Sequence, residues 1–245
     1  MKRVAAFFDI DGTIYREGLI TELFKKLIKH ELVDESVWYD GVRQVFMKYD
    51  RRQGDYDSYL DAMVDSYTRS ILGVNRILID HIATKVIEQK GDRVYVFSRD
   101  QIRYHKAQNN LLLAISGSPI ELVEKMARKY EFDDYRGTIY VTDDSNCYTD
   151  QIIPMWDSVS KSNAIKKLVK KYGIDLEQSY AYGDTVGDFT MFKMVGHPYA
   201  INPTKALLKM IYEDEQVAKK IKVIVERKNV IYEIKMSDVK FLDLE

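Results

Sequence analysis

The chain reads as an α/β protein: a parallel sheet core interrupted, just after its first strand, by an all-helical insertion. Three observations predict this. Short, mostly apolar runs occur at Val4 to Phe8, Leu111 to Ile115, Tyr180 to Tyr182 and His197 to Ile201. They lack polar alternation, as strands buried on both faces do. Helical stretches separate the later runs, the alternation expected of a parallel sheet. From Gly18 to about Gln89, by contrast, only helical periodicity is present.

The elements follow in order. Val4 to Phe8 is the first strand, ended by Asp9-Ile-Asp-Gly-Thr13. In the insertion, Leu19, Leu23, Leu27 and Ile28 recur at helical spacing with Lys25, Lys26 and Lys29 opposite. Tyr59, Met63, Tyr67 and Ile71 form a second stripe, and Ile77 to Val86 a third. Val94 to Phe97 has a strand-like composition, but the pattern running on to Gln108 and ending at Asn109-Asn110 predicts a helix. Leu111 to Ile115 is the second buried strand, followed by Ser116-Gly-Ser-Pro119 and a helix from Ile120 to about Tyr130. Thr138 to Val141 and Tyr148 to Ile153 predict a hairpin around Asp143 to Asn146. A helix is expected from Asn163 to Tyr172, a strand at Tyr180 to Tyr182 ending at Gly183-Asp184, and another at His197 to Ile201. One helix from Pro203 to about Ile221 and a hairpin of Val223 to Glu226 with Val230 to Ile234 complete the chain.

Composition narrows the function. Lys+Arg number 37 against 38 Asp+Glu, so the basic excess of a nucleic-acid binder is missing and no such partner is expected. Cys147 is the single cysteine; it can form no internal disulfide and reads as a free thiol in a reducing compartment. The apolar run after Met1-Lys2-Arg3 is too short for a signal peptide and is broken by Asp9 and Asp11. Nothing approaches the roughly 18 apolar residues of a spanning helix. The expectation is a cytoplasmic protein with no stable membrane insertion.

The polar residues of interest follow the buried runs, where ligands collect in such sheets. Asp9 and Asp11 are two apart, so extended geometry aims both to one side. Carboxylates so close repel unless a cation or proton intervenes. Mg2+ suits oxygen ligands of this kind, and the pair offers a nucleophile and a general acid/base. Gly12 allows close backbone approach, and Thr13 is placed to cap the next segment. Ser116-Gly117-Ser118 brings a hydroxyl and backbone N–H groups to a helix start, an anion site. Lys161, at the entry to the Asn163 helix, can neutralise a phosphate oxygen. Asp184 would complete a metal site, with Asp188 about one turn on. Each signal alone has a bland reading: a turn aspartate, a capping serine, a surface lysine.

In combination, and in this order, these motifs resemble the haloacid dehalogenase superfamily of phosphohydrolases. Tyr180-Ala-Tyr-Gly-Asp-Thr185 and Val195-Gly-His-Pro-Tyr-Ala-Ile-Asn-Pro203 look like its phosphoserine-phosphatase-like branch. The resemblance runs from Val4 to about Pro203, matches Gly18 to Asp92 only in helical character, and does not reach the segment after about Lys209. It implies a Rossmann-like core of residues 1–16 and 93–245 and a helical cap of residues 17–92. It also implies Mg2+-dependent cleavage of a small phosphate monoester. In that scheme Asp9 attacks phosphorus and Asp11 serves as general acid and then base. Asp9, the backbone carbonyl of Asp11, and Asp184 bind Mg2+. Ser116, the Gly117 amide and Lys161 hold the phosphoryl oxygens, and Asp188 supports the metal through water or orients Lys161.

The resemblance weakens at the substrate. Phosphoserine phosphatases place a Glu beyond the Asp-x-Asp pair to grip the substrate ammonium; the corresponding position here is Gly18, with Glu17 its neighbour. Glu17 and Arg51 are the candidate substrate contacts, Arg51 for a second anionic group. The insertion's aromatics read as helix packing, and none of the four histidines is assigned to catalysis. A lipid-phosphate phosphatase of the same branch and a catalytically silent binding module on the same fold are the alternatives.

Overall fold

The computed structural model describes residues 2–241. Its strands are β1 (Ala5–Phe8), β2 (Leu111–Pro119), β3 (Asp134–Thr142), β4 (Tyr148–Ile153), β5 (Tyr180–Gly183), β6 (His197–Ile201), β7 (Lys222–Arg227) and β8 (Val230–Ile234). They form one sheet in the order β4-β3-β2-β1-β5-β6-β7-β8. The six from β3 to β7 pair in parallel, and β4 and β8 are antiparallel edges. The chain winds outward from β1 in one direction, then returns to build β5 on its other side. The topological switch point therefore lies between β1 and β5, where open α/β sheets bind ligands.

The helices are α1 (Leu19–Lys29), α2 (Arg43–Asp50), α3 (Tyr56–Ile71), α4 (Arg76–Lys90), α5 (Val96–Ala107), α6 (Ile120–Lys129), α7 (Ser158–Tyr172), α8 (Phe189–Met194), α9 (Lys205–Glu213) and α10 (Glu215–Lys220). A π-helical turn, Trp38–Val42, leads into α2. Among the described residues no helix is long and apolar enough to cross a membrane.

Strand periodicity sorts the core into two layers. Ala6, Phe8, Leu112, Ala114, Tyr182, Ile201 and Ile224 face one apolar cluster, and Ala5, Phe7, Leu111, Leu113, Ile115, Ala181, Ala200 and Val223 face the other. Burial on both faces is why these strands carry unbroken apolar runs. Each fully buried large aliphatic or aromatic side chain contributes about 1.5–3 kcal/mol.

The helices α1 to α4 lie between β1 and β2 in the chain. Their apolar stripes enter the first cluster: Leu19, Leu23 and Leu27 of α1, Tyr59, Met63 and Tyr67 of α3, and Ile79, Ile82 and Val86 of α4. Backbone bonds close the two crossings into this block, from Arg16 N to Arg93 O (3.1 Å) and Tyr95 N to Ile14 O (2.9 Å). A further seam joins the α3–α4 turn to the β3–β4 hairpin, from Gly73 N to Tyr148 O (2.8 Å) and Tyr148 N to Val74 O (3.0 Å).

Several boundaries differ from the sequence reading. β2 runs on through Ser116 to Pro119 with a register shift between Ile115 and Pro119, so the serines lie in a distorted strand end, not a loop. β3 starts at Asp134, because it first pairs with β2 before turning into the hairpin. α7 starts at Ser158, since Asp157 caps it by accepting from Val159 N and Ser160 N (2.9 Å each). The expected single helix after Pro203 is two, broken at Asp214, whose carboxylate accepts from Val217 N (3.1 Å) and starts α10. The C-terminal hairpin is an integral edge of the sheet. The buried Glu226 carboxylate of β7 accepts from Val96 N and Phe97 N (2.9 Å each), capping α5.

Candidate active site

Asp9 stands just beyond β1 and Asp184 just beyond β5, on either side of the switch point. The Asp9 N–H donates to Tyr182 O (2.9 Å), so the two strand ends stay in register up to the carboxylates. Lys161 enters from the first turn of α7, a position fixed by the Asp157 cap. Its buried ammonium donates to Asp9 Oδ1 (2.9 Å) and Asp188 Oδ1 (2.5 Å). Asp188 Oδ2 accepts from Asp184 N (3.0 Å), Thr185 N (3.1 Å) and Thr185 Oγ1 (3.3 Å). Asp188 is thus a bracket that ties the loop after β5 to Lys161.

Asp9, Asp184 and Asp188 are all buried, with carboxylate oxygens within 4.8 Å of one another. Burial pushes the Asp9 carboxyl up to about 7, against the pull of Lys161, with Asp188 and Asp11 adding to the rise. Burial also raises Asp184 well above the ordinary carboxylate range, and the charges of Asp9 and Asp188 push the same way. For Lys161, burial opposes the charge, but Asp188 and Asp9 overcome it and hold the pKa above the usual lysine value. One cation among three buried carboxylates leaves a negative excess that a further cation would relieve. The local backbone fits such a centre: at Gly12, with φ +74°, a Cβ would fall 2.0 Å from Asp184 Oδ2. Only glycine lets this carboxylate approach.

The Asp11 carboxylate turns away from this trio. Oδ1 accepts from Leu19 N at the start of α1 (2.7 Å), and Oδ2 accepts from Ser118 Oγ (2.5 Å). It therefore spans the seam between the helical block and the sheet. Burial raises its pKa, against the two hydrogen bonds, the direction that suits a general acid.

A cavity of about 570 Å3 joins these groups, lined among others by Asp9, Asp11, Ser116, Gly117, Ser118 and Lys161. Its size is that of a small-molecule site. Asp184 borders a neighbouring cleft together with Gly12.

The structure does not bring the two candidate substrate contacts to this cavity. Glu17 is held at the chain crossing by Arg93 (2.7 Å), and Arg51 is exposed at the C-terminal end of α2. Gly18 lines the cavity in place of Glu17. Sequence reasoning missed Ser118 as the partner of Asp11 and Thr13 as the partner of Asp184, to which its hydroxyl donates (3.1 Å). Both contacts cross between distant segments, and no local pattern marks them. Of the histidines, His105 is buried behind β5 against the Tyr182 hydroxyl (2.8 Å), and desolvation lowers its pKa to about 4.

Known proteins agree with this picture. A probable phosphatase of Mycobacterium tuberculosis is 26% identical over 208 residues, covering 84% of this chain and 71% of the relative. A structure from Bordetella pertussis, of unknown function, superposes with a TM-score of 0.69 at 18% identity, covering 87% of this chain and 96% of that one. A phosphoserine phosphatase solved as a phospho-aspartyl intermediate analogue shares the fold, with a TM-score of 0.57 at 16% identity and coverage of 94% and 96%. The haloacid dehalogenase-like hydrolase model matches residues 6–193. With strand-end aspartates at the switch point and this match across most of its length, the chain belongs to the haloacid dehalogenase-like hydrolase family.

Proposed function

We propose that the protein is a Mg2+-dependent phosphatase that cleaves a small phosphate monoester through an aspartyl-phosphate on Asp9. The observation that supports this most is the shared cavity: Asp9 and Asp11 line one space with Ser116, Gly117 and Lys161. A nucleophile, an acid and an anion cradle therefore meet where one phosphate could touch all of them.

In this reading, Ser116 Oγ, the Gly117 N–H and Lys161 hold the non-bridging oxygens. A carboxylate oxygen of Asp9 attacks phosphorus in line, and the P–O bond to the alcohol breaks. Asp11 gives its proton to the departing oxygen. Asp11, now a carboxylate, takes a proton from water as that water attacks the phosphorus of the Asp9 acyl phosphate. Inorganic phosphate leaves and Asp9 is regenerated. Asp9, Asp184 and the backbone carbonyl of Asp11 would hold Mg2+, with Asp188 keeping Lys161 in place. The metal supplies positive charge that screens nucleophile and phosphate from each other. Phosphoryl transfer asks mainly for such positioning and charge neutralisation. Residues 17–92 act as a cap, closing the cavity with Gly18, Thr21 and the apolar face of α3.

The test is phosphate release from a panel of monoesters with and without Mg2+. Release that needs Mg2+ and vanishes in Asp9→Asn is expected. Release that is metal-independent or survives in Asp9→Asn contradicts the proposal.

A further inference from the structure

Part of the cavity lining away from Asp9 and Asp11 has a distinct chemistry. Leu60 and Val64 lie one helical turn apart on α3, with Ile20 of α1 beside them, and Ile152 and Trp156 face the same space from the β4–α7 side. Leu60, Val64 and Ile152 are only partly buried, and Trp156 keeps 37% of its surface exposed. Apolar surface left uncovered around a cavity of ligand size is a mark of a binding wall.

Trp156 is set there by close backbone packing. A Cβ at Gly117 would meet Trp156 Cβ at 2.9 Å, and one at Gly187 would meet Trp156 O at 2.3 Å. The indole-bearing residue is thus seated directly against the Gly117 segment of the proposed phosphate cradle. The same cavity that holds Ser116, Gly117 and Lys161 thus also holds Trp156.

Charge points the same way. Among the described residues Lys161 is the one basic residue lining the cavity, and its ammonium is already engaged by Asp9 and Asp188. The remaining charged lining away from the catalytic pair is acidic: Asp61, and Asp65, whose carboxylate is paired with Arg69 (2.8 Å). A second phosphate or carboxylate on the substrate would find no free cation in this lining, since Lys161 is held by two carboxylates and Arg69 lies on Asp65, and it would face Asp61.

Building on the proposed phosphatase reading, we infer that the preferred substrate is the monophosphate of an apolar alkyl or aryl alcohol with no second anionic group. Trp156 and Leu60 are its specificity-determining contacts. The ester is a soluble one; a lipid tail would present the same chemistry, and the test separates the two sources.

The experiment measures kcat/KM in Mg2+ for straight-chain alkyl phosphates from methyl to octyl, with phosphoserine and 1,4-butanediol bisphosphate alongside. Phosphatidate in phosphatidylcholine vesicles is a further arm. The expected result is a rise of roughly fourfold per methylene over the first few carbons, from the free energy of burying each group. Phosphoserine and the bisphosphate should fall well below the longer alkyl esters. Trp156→Ala and Leu60→Asp should flatten the series, lowering the octyl-to-methyl ratio by about tenfold or more. A readout free of turnover is a blue shift of Trp156 emission on adding hexylphosphonate, absent in Trp156→Ala, where Trp38 remains.

A flat or falling series in the wild type, or preference for phosphoserine or the bisphosphate, overturns the inference and leaves the phosphatase reading intact. Turnover that persists in Asp9→Asn breaks the phosphatase reading instead. Faster cleavage of vesicle-borne phosphatidate than of octyl phosphate supports the apolar wall and moves the source to a lipid.

Discussion

The floor and the wall of the cavity are built on opposite plans. On the floor the charged groups are pinned. Lys161 has two carboxylate partners, Asp188 four donors, and Asp11 one donor from each side of the seam. Apart from the Leu19 N–H at the start of α1, these contacts issue from strand ends of one sheet, the loop after β5 and the first turn of α7. The wall, supplied largely by α3 and Trp156, joins partly exposed apolar side chains to Asp61 and Asp65 at its charged edge. On the proposed reading the sheet carries the chemistry, and the inserted helices and one loop select the organic group. Perturbing the floor should change rates on every substrate, and perturbing the wall should change their ratios.

The largest effect short of losing the nucleophile is expected at Asp11. Asp11→Asn keeps the shape and removes the proposed proton donor, so kcat should fall on the order of 10²–10⁴-fold. The loss should be smallest for esters with good leaving groups such as p-nitrophenyl phosphate. Equal losses across leaving groups would remove Asp11 from the acid role.

Metal binding should show the next largest effect, with a defined pH dependence. The Asp9 pKa is raised to about 7 in the folded protein, from an ordinary value of 3.8. Between these values the metal-free folded state holds a proton that the unfolded chain has lost, so the site's contribution to stability falls as pH rises. A cation at the carboxylates relieves this by replacing the proton. The gain in Tm from a fixed Mg2+ concentration should therefore grow from pH 5 to pH 8. At about a hundred times Kd, the gain corresponds to about 2.7 kcal/mol. A gain that shrinks with rising pH would contradict the carboxylate site.

Glu226 tests the floor from outside. Glu226→Gln loses one of two carboxylate acceptors for α5 and the ion pair with Arg16 (3.8 Å). It should cost about 1.5–3 kcal/mol, seen as a lower Tm, with kcat/KM for a methyl ester unchanged.

The smallest effect is expected at Ser118. Ser118→Ala removes one hydrogen bond to Asp11, worth about 1 kcal/mol or several-fold in kcat. Because that bond lowers the Asp11 pKa, its loss should move the alkaline limb of kcat/KM to higher pH. An unmoved limb would mean that Ser118 does not act through Asp11.

The same division governs what the sequence disclosed. Asp9, Ser116 and Asp184 were legible because each follows an apolar run long enough to read as a buried strand, and strand ends gather at one edge. Lys161 was legible as a charge near a helix start, although its true place inside the first turn depends on the Asp157 cap. Ser118 and Thr13 were not legible as partners, since each meets its carboxylate across a seam between segments distant in sequence. The wall was hidden for a similar reason. Leu60 and Val64 fall among the apolar positions of an ordinary amphipathic helix, and nothing local distinguishes a face turned to a ligand from one turned to the core. Arg51 drew attention by its charge and Glu17 by its place beside the position of the family's substrate-gripping Glu, and the fold spends Glu17 on Arg93 and leaves Arg51 at the surface. The segment after Lys209 carried no motif, yet its Glu226 caps α5, a contact created only when β7 joins β6.

The most direct test of the account is acid quenching of the protein during turnover of an alkyl phosphate in Mg2+, followed by intact-mass and peptide mass analysis. An aspartyl-phosphate route predicts a protein fraction heavier by one phosphoryl group, carried on the peptide containing Asp9 and absent in Asp9→Asn. A phosphoryl group on any other residue, or turnover at full rate by the Asp9→Asn protein, would contradict it.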